Sequence, residues 1–291
     1  MNAGASLTAP LVAMVLCAAV LHAGWNALVK SGGNKSFDTA LIHSLGVLFA
    51  VPAAFFFGLP VAAAWPFIAA SSVVHIAYYV ALVGAYRHGD LGLTYPVMRG
   101  SAPLLVALAG TALGGESLSP QAWAGVLVIC GGVLLVGLAR AGVSAGGNRR
   151  KALAFALANA GFIAAYTVID GYGVRASGDA FAYAAAIFLV DGLPYMALVL
   201  WRAGPGRGAA LRYMAGRVPV ALGGTVASIG SYTIALWAMG HAPVALVAAL
   251  RETSVIFAAL IGTLLLGERF GWARAAGTGL VVAGVMTLRF S

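Results

Sequence analysis

Charged side chains are scarce in this sequence, in which Asp, Glu, Lys and Arg together form only 9% of 291 residues. A typical soluble domain has about 25% charged residues, because its surface must remain hydrated. Hydrophobic residues instead form 62% of the chain. The composition therefore excludes a soluble catalytic domain or a nucleic-acid-binding module, and it predicts an integral membrane protein in contact with the lipid bilayer.

Cysteine is also nearly absent, and both cysteines, Cys17 and Cys130, lie within apolar runs. Neither has the spacing of a metal site or of a disulfide framework. The sequence also lacks the lysine-containing glycine-rich motif with which ATPases bind phosphates. We therefore expect no metal and no cofactor, and we expect any transport to be driven by a coupled gradient or by the substrate's own gradient.

Apolar runs separated by glycine, proline and charged residues predict ten membrane helices, each about 20 residues long. No segment has the alternating pattern of a strand, so the predicted fold class is all-α integral membrane. The predicted spans are 10–30, 39–59, 65–87, 91–114, 120–139, 151–170, 180–201, 218–239, 243–266 and 271–289.

Lysine and arginine are distributed unequally between the two faces of this predicted bundle. The face with the loops after odd-numbered helices carries 13 of these residues, whereas the other face carries only Arg175 and Arg289. Cytoplasmic loops have such an excess of positive charge. We therefore expect a multi-pass protein of the cell inner membrane with both termini outside, and we assign the net charge of +9 to the cytoplasmic loops.

The chain contains an internal repeat with an offset of 152 residues, in which 99–116 and 251–268 share eight identical positions. The repeat divides the chain into two five-helix halves, 1–145 and 146–291. Because five is an odd number, the second half must enter the membrane in the inverted direction. Inverted repeats are typical of alternating-access transporters, whose substrate site lies near the midplane between the halves.

Four charged residues lie in the interior of the predicted spans, where an unpaired charge costs several kcal/mol. Arg99 and Arg251 occupy equivalent positions in the two halves and, facing one cavity, would bind a carboxylate or phosphate of the substrate. The alternative is a structural ion pair, such as Arg99 with Glu252 or with Asp191. Glu252 is also a candidate for substrate binding and proton coupling. Asp191 is a candidate either for proton coupling or for a structural salt bridge to an arginine.

Three prolines are expected to shape the backbone near these charges. Pro96 and Pro103 flank Arg99 on predicted helix 4, and the missing N–H of Pro103 leaves the carbonyl oxygen of Arg99 without its helical partner. Pro194 follows Asp191 and is expected to kink predicted helix 7.

The remaining candidates for substrate binding lie on predicted helices 3 and 8. His75 titrates near physiological pH, and Tyr78, Tyr79, Tyr232 and Trp237 could form an aromatic wall that binds an amine through cation–π contacts. The alternative for each aromatic residue is ordinary packing or anchoring at the membrane interface.

Glu116 and Glu268 occupy equivalent helix ends in the two halves. Carboxylates are favourable near the N–H groups that begin a helix, so we expect each to accept hydrogen bonds from the start of the next helix. Their repetition indicates a structural role rather than substrate recognition.

The chain resembles the drug/metabolite transporter superfamily, in its EamA-type ten-helix form. The resemblance rests on the paired segments that end in Gly115-Glu116 and Gly267-Glu268, together with residues 22–26 and 165–167. It implies a secondary transporter of small metabolites with a cavity lined largely by helices 3, 4, 8 and 9. Many relatives have cytoplasmic termini, whereas the charge distribution here places both termini outside.

The sequence thus predicts a transporter, not an enzyme, for a small polar metabolite that is anionic or zwitterionic and amino-acid-like. We expect alternating access that is either proton-coupled or facilitative. The alternatives are a flippase for a lipid-linked substrate and an intramembrane enzyme, although the motifs of a nucleophile or a zinc protease are missing. The sequence allows a homodimer without supporting one.

Overall fold

The computed structural model is all-helical in the residues that it describes, apart from short connections, which confirms the predicted all-α class. Eight helical segments of this described part are long and apolar enough to cross a membrane, and two of them include parts of two consecutive α-helices. The described residues are 7–88, 91–114, 116–138, 148–266 and 271–290.

The helices follow the predicted spans closely along most of the chain. Two short 3-10 turns, at Ala62–Ala64 and Gly204–Gly206, precede α3 and α8. The helices are α1 Ala9–Lys30, α2 Lys35–Phe57, α3 Trp65–His88, α4 Leu91–Gly114, α5 Pro120–Leu138, α6 Arg149–Ser177, α7 Ala180–Ala203, α8 Arg207–His241, α9 Val244–Arg251, α10 Ser254–Leu266 and α11 Trp272–Arg289.

The predicted ninth span, 243–266, is wrong as a single helix, because α9 and α10 are separated at Glu252 and Thr253. The N–H of Glu252 donates to the oxygen of Ala249, and both the N–H and the hydroxyl of Thr253 donate to the oxygen of Leu250. These bonds span three residues rather than the four of an α-helix. The chain therefore makes a tight turn at this point.

Helices α6 and α8 are longer than predicted. The predicted end of the sixth span at 170 is wrong, because α6 continues to Ser177 and ends before Gly178, whose φ is +71°. The carboxylate of Asp170 is buried and hydrogen-bonded inside the protein, so it does not end the helix. The predicted start of the eighth span at 218 is also wrong, because α8 begins at Arg207.

Buried Asp38, on α2, holds the early part of α8. Its carboxylate accepts hydrogen bonds from Arg217 Nε at 3.0 Å and from the Tyr213 hydroxyl at 2.8 Å. The same hydroxyl accepts the N–H of Asn34, and a second nitrogen of Arg217 donates to the oxygen of Leu28. These contacts tie the loop between α1 and α2 to α8.

Glycines bring α5 and α11 into close contact. A Cβ atom on Gly132 would lie 2.8 Å from the oxygen of Gly277, and a Cβ atom on Gly284 would lie 2.9 Å from the oxygen of Gly125. Because residue numbers rise along α5 as they fall along α11, the two helices run antiparallel. Small residues at such contacts let membrane helices approach closely. Helix α2 lies against α7, α3 against α6, and α1 against α8.

Replacing Gly132 with alanine is expected to destabilise the protein by about 1–3 kcal/mol, as overpacking does. The added methyl group would meet backbone atoms of Gly277 and Val281 at 2.8–2.9 Å, and backbone atoms move less easily than a side chain. The matched control is Gly131→Ala, since a Cβ atom on Gly131 meets nothing within 4 Å. Thermal unfolding in detergent measures both variants. Equal unfolding temperatures would contradict the close contact.

Candidate functional site

A cavity of about 550 Å³ lies among the helices, and every helix from α1 to α11 contributes to its wall. Small-molecule sites have volumes of roughly 300–1,000 Å³. The cavity extends from buried Arg99 to Lys30 and Lys35, which are exposed where α1 ends and α2 begins. It therefore reaches the surface at the face that carries the loop between α1 and α2.

Cationic side chains dominate the charge of the cavity wall. Asp191 is the one carboxylate that lines it in the described part of the chain. The basic side chains of the wall are Lys30, Lys35, Arg99, Arg251, Arg274 and the histidines His22, His43 and His75. The cavity is thus suited to an anion or to the anionic part of a zwitterion.

Arg99 and Glu252 form a buried ion pair. Arg99 Nη2 lies 3.0 Å from Glu252 Oε1, and the two side chains are 11% and 5% exposed. Arg99 belongs to α4, whereas Glu252 lies in the turn between α9 and α10. The structure therefore contains the Arg99–Glu252 pair of the two ion pairs that the sequence allows. Glu252 lies behind Arg99, outside the wall of the large cavity.

Arg251 differs from its counterpart Arg99 in how its charge is compensated. Its Cζ lies 5.5 Å from the centroid of the Tyr232 ring, in a cation–π contact. Among the described residues, Arg251 forms no salt bridge, although its side chain lines the cavity. One of the two arginines is therefore neutralised by a carboxylate, and the other presents its charge to the cavity.

His75 and Asp191 form a second polar pair, and both line the cavity. His75 Nδ1 lies 2.7 Å from Asp191 Oδ2, and the His75 ring lies 4.3 Å from the Tyr166 ring. Asp191 thus contacts a histidine rather than the arginine that a structural salt bridge would require. Helix α7 continues through Pro194 without a break.

The two other prolines remain inside a continuous α4. Pro96 lines the cavity one turn before Arg99. Pro103 lines a smaller recess that also contains Arg99 and Glu252. The free carbonyl position that Pro103 creates therefore lies beside the buried ion pair.

The predicted aromatic wall is only partly formed. Tyr78, Tyr79 and Tyr232 line the cavity, but Trp237 does not. The expectation that Trp237 contacts the substrate cavity is wrong, since it lies near the end of α8 with its ring 4.7 Å from that of His241. Trp237 is five positions after Tyr232, which places the two side chains about 140° apart around a helix.

Two buried polar residues at or near the cavity were not among the residues singled out from the sequence. Asp170 is fully buried and accepts hydrogen bonds from the hydroxyls of Tyr183 and Tyr232. Asn159 is also fully buried, and its amide donates to the oxygen of Tyr78 at 2.8 Å. Both residues lie on predicted helix 6, where a polar side chain in an apolar run could have indicated them.

At the face opposite Lys30 and Lys35, Glu116 and Arg175 join the end of α6 to two connections between helices, α4–α5 and α8–α9. Arg175 Nη2 lies 2.9 Å from Glu116 Oε1, and Arg175 also donates to the oxygens of Met239 and Ala242. Glu116 accepts the N–H of Val244 at the start of α9, not that of α5, which is the next helix in the chain. Glu268 lies outside the described residues.

Comparisons with known proteins give matches to the fold and to a family. A solved crystal structure of a protein has the same fold over 97% of this chain and 96% of its own, with a TM-score of 0.75 and 22% sequence identity. None of the curated proteins compared with the chain matches it. Residues 150–290 match the model of the EamA-like transporter family. This segment therefore belongs to the EamA-like transporter family of the drug/metabolite transporter superfamily, which confirms the resemblance found in the sequence.

Proposed function

We propose that the protein is a secondary transporter that moves a small anionic or zwitterionic, amino-acid-like metabolite across the cell inner membrane by alternating access. The observation that carries this proposal is the position of Arg251, which lines the cavity and has no salt bridge among the described residues. A substrate carboxylate would supply that partner, because a guanidinium binds a carboxylate through two parallel hydrogen bonds.

The contacts between α5 and α11 support an architecture of ten spans in two inverted halves, 1–145 and 146–291, with α9 and α10 together forming the ninth span. The 152-residue offset relates Gly125 to Gly277 and Gly132 to Gly284. Applied to both members of the Gly125–Gly284 contact, the offset gives Gly277 and Gly132, which are also in contact. A two-fold axis between antiparallel helices has the same effect, as inverted repeats require.

The two ends of the cavity support alternating access. One end reaches exposed Lys30 and Lys35, whereas Glu116 and Arg175 join α6 to the connections beside α4 and α9 at the other face. With the odd-numbered loops in the cytoplasm, this arrangement corresponds to a cavity open to the cytoplasm. Transport then requires the Glu116–Arg175 contacts to break as the opposite end closes.

His75 and Asp191 are the proposed site of proton coupling. Both line the cavity, and His75 Nδ1 lies 2.7 Å from Asp191 Oδ2, so an anion that enters beside them changes the energy of holding a proton there. Glu252 is the second proposed site, because its proton affinity depends on whether Arg99 stays paired with it or turns to the substrate. A facilitative carrier would show no such dependence on a proton gradient.

Purified protein in liposomes loaded with pooled metabolites tests the proposal. We expect a small set of anionic or zwitterionic compounds to leave the liposomes, and we expect Arg251→Gln to slow their efflux about 100-fold because a buried charge-assisted contact is lost. Arg212→Gln is the matched control, since Arg212 is exposed on α8 and outside the cavity wall. Efflux confined to cations, or efflux unchanged in Arg251→Gln, would refute the proposal.

A further inference from the structure

Asp170 is a fully buried carboxylate that lies outside the cavity wall. It is on α6, and its two oxygens accept hydrogen bonds from tyrosines of two other helices. The hydroxyl of Tyr183, on α7, lies 2.9 Å from Asp170 Oδ1, and the hydroxyl of Tyr232, on α8, donates to Oδ2. Burying a carboxylate is costly in a membrane protein, and the two tyrosine hydroxyls offset part of that cost. Helices can pack against each other without a buried carboxylate, so Asp170 needs another explanation.

Tyr232 connects this carboxylate to the cavity. Its hydroxyl end is bound to Asp170, while a face of its ring lies 5.5 Å from the guanidinium carbon of Arg251. The edge-on ring of Phe188, whose centroid is 6.1 Å away, packs against the same side chain. The direction of the Tyr232 ring, and therefore the place where Arg251 rests, depends on the hydrogen bond at its far end.

Arg251 has no salt bridge of its own among the described residues. The neighbouring carboxylate, Glu252, is already paired with Arg99. Asp170 lies at the hydroxyl end of Tyr232 and outside the cavity wall. Its hydrogen bond therefore fixes the ring against which the guanidinium lies, without occupying the hydrogen bonds that an anion in the cavity would use.

We propose that Asp170 is a positioning residue that acts through Tyr232 to orient Arg251 toward a carboxylate-bearing ligand in the cavity. This inference rests on the proposed function for the identity of the ligand. The orientation of Arg251, however, is a property of the protein alone and can be measured without transport.

Modification of arginines by phenylglyoxal, followed by mass spectrometry of the peptides, tests the orientation. We expect Arg251 to react about fivefold faster in Tyr232→Phe and in Asp170→Asn, because the ring no longer covers one face of the guanidinium. The matched control is Tyr183→Phe, which removes the other tyrosine hydroxyl from the same carboxylate and should leave the rate unchanged. Exposed Arg212 is the internal reference for the amount of reagent, and the rate of Arg251 is divided by the rate of Arg212 in every sample.

The outcome for Arg251 decides the proposal even if Asp170→Asn does not fold, because Tyr232→Phe keeps the ring and the apolar packing. An unchanged Arg251 rate in Tyr232→Phe, or an equal increase in Tyr183→Phe, would overturn it. Benzoate added to the same reactions tests the proposed function separately. Protection of Arg251 by benzoate in the unmodified protein supports an anion site, and missing protection counts against the proposed function while leaving the rate comparison valid.

Discussion

Replacing Arg99 alone with methionine is expected to destabilise the protein by about 3–5 kcal/mol, the usual cost of breaking a buried ion pair from one side. The variant leaves Glu252, whose side chain is only 5% exposed, without its cationic partner at 3.0 Å. Replacing both Arg99 and Glu252 with methionine should recover most of that loss, since no unpaired charge then remains. Unfolding by heat in detergent and the yield of folded protein measure both effects.

The equivalent change in the other half is the matched control. Arg251→Met removes a guanidinium that has no salt bridge among the described residues, so it should cost much less stability while abolishing transport. A double variant of Arg99 and Glu252 no more stable than Arg99→Met would show that the pair is not coupled. If the folded double variant still transports, the Arg99–Glu252 pair is structural, and if it does not, at least one of the two residues acts in transport.

Composition and hydropathy were sufficient to predict the fold class, because the scarcity of charge leaves few soluble alternatives. They also brought Arg99 and Glu252 into the same hypothesis, since charges inside a membrane need a partner. They could not choose between Glu252 and Asp191 as that partner. In the structure Asp191 is paired with His75 of α3 instead, and a pattern along one helix does not contain that contact.

The break between α9 and α10 left no recognisable signal in the sequence. Residues 250–254 contain neither glycine nor proline, which are the usual marks of an interrupted helix. The turn coincides instead with one tertiary contact, the ion pair of Glu252 with Arg99, and with one local contact, in which the hydroxyl of Thr253 donates to the oxygen of Leu250. Discontinuous helices often form the binding sites of transporters, so this feature adds support for the site that the pattern alone could not supply.

Asp170 was missed for a related reason. Asp170 is the last residue of the predicted sixth span, so it was not counted among the charges in the interior of a span. Only the structure shows that Tyr183 and Tyr232 lie close enough to satisfy its two oxygens. Residues with buried partners on other helices are invisible to a pattern that considers one helix at a time.

Under the proposed alternating access, the contacts around Glu116 lie at the face that opens during transport. Its carboxylate joins Arg175 to the start of α9, and Arg175 also holds the oxygens of Met239 and Ala242. Hydrogen bonds to charged groups contribute about 1.5–3 kcal/mol each. Removing the charge of Glu116 should therefore favour the state that is open at this face, because these contacts exist only while the face is closed.

Labelling of a single cysteine from each side of the membrane measures that shift. The reporter is Ser228→Cys, at a buried position of the cavity wall, in a chain whose Cys17 and Cys130 are replaced by alanine. With both termini outside, we expect a membrane-impermeant maleimide to label the reporter in inside-out vesicles and scarcely in intact cells. Adding Glu116→Gln should raise labelling in intact cells about tenfold, as a shift of 1–2 kcal/mol between two states implies.

The control variant for this shift is Asp179→Asn, which removes a carboxylate from the same face. In the described part of the chain, the Asp179 carboxylate accepts hydrogen bonds only from the start of its own helix, from the N–H groups of Phe181 and Ala182, and asparagine can cap a helix in its place. Labelling in intact cells should therefore remain low.

Strong labelling of the reporter in intact cells without any change at Glu116 would show that the cavity opens outward. The charge distribution would then have assigned the two faces the wrong way round. Equal labelling in Glu116→Gln and Asp179→Asn would instead show that the Glu116–Arg175 contacts do not control access, because a general loss of negative charge would account for both.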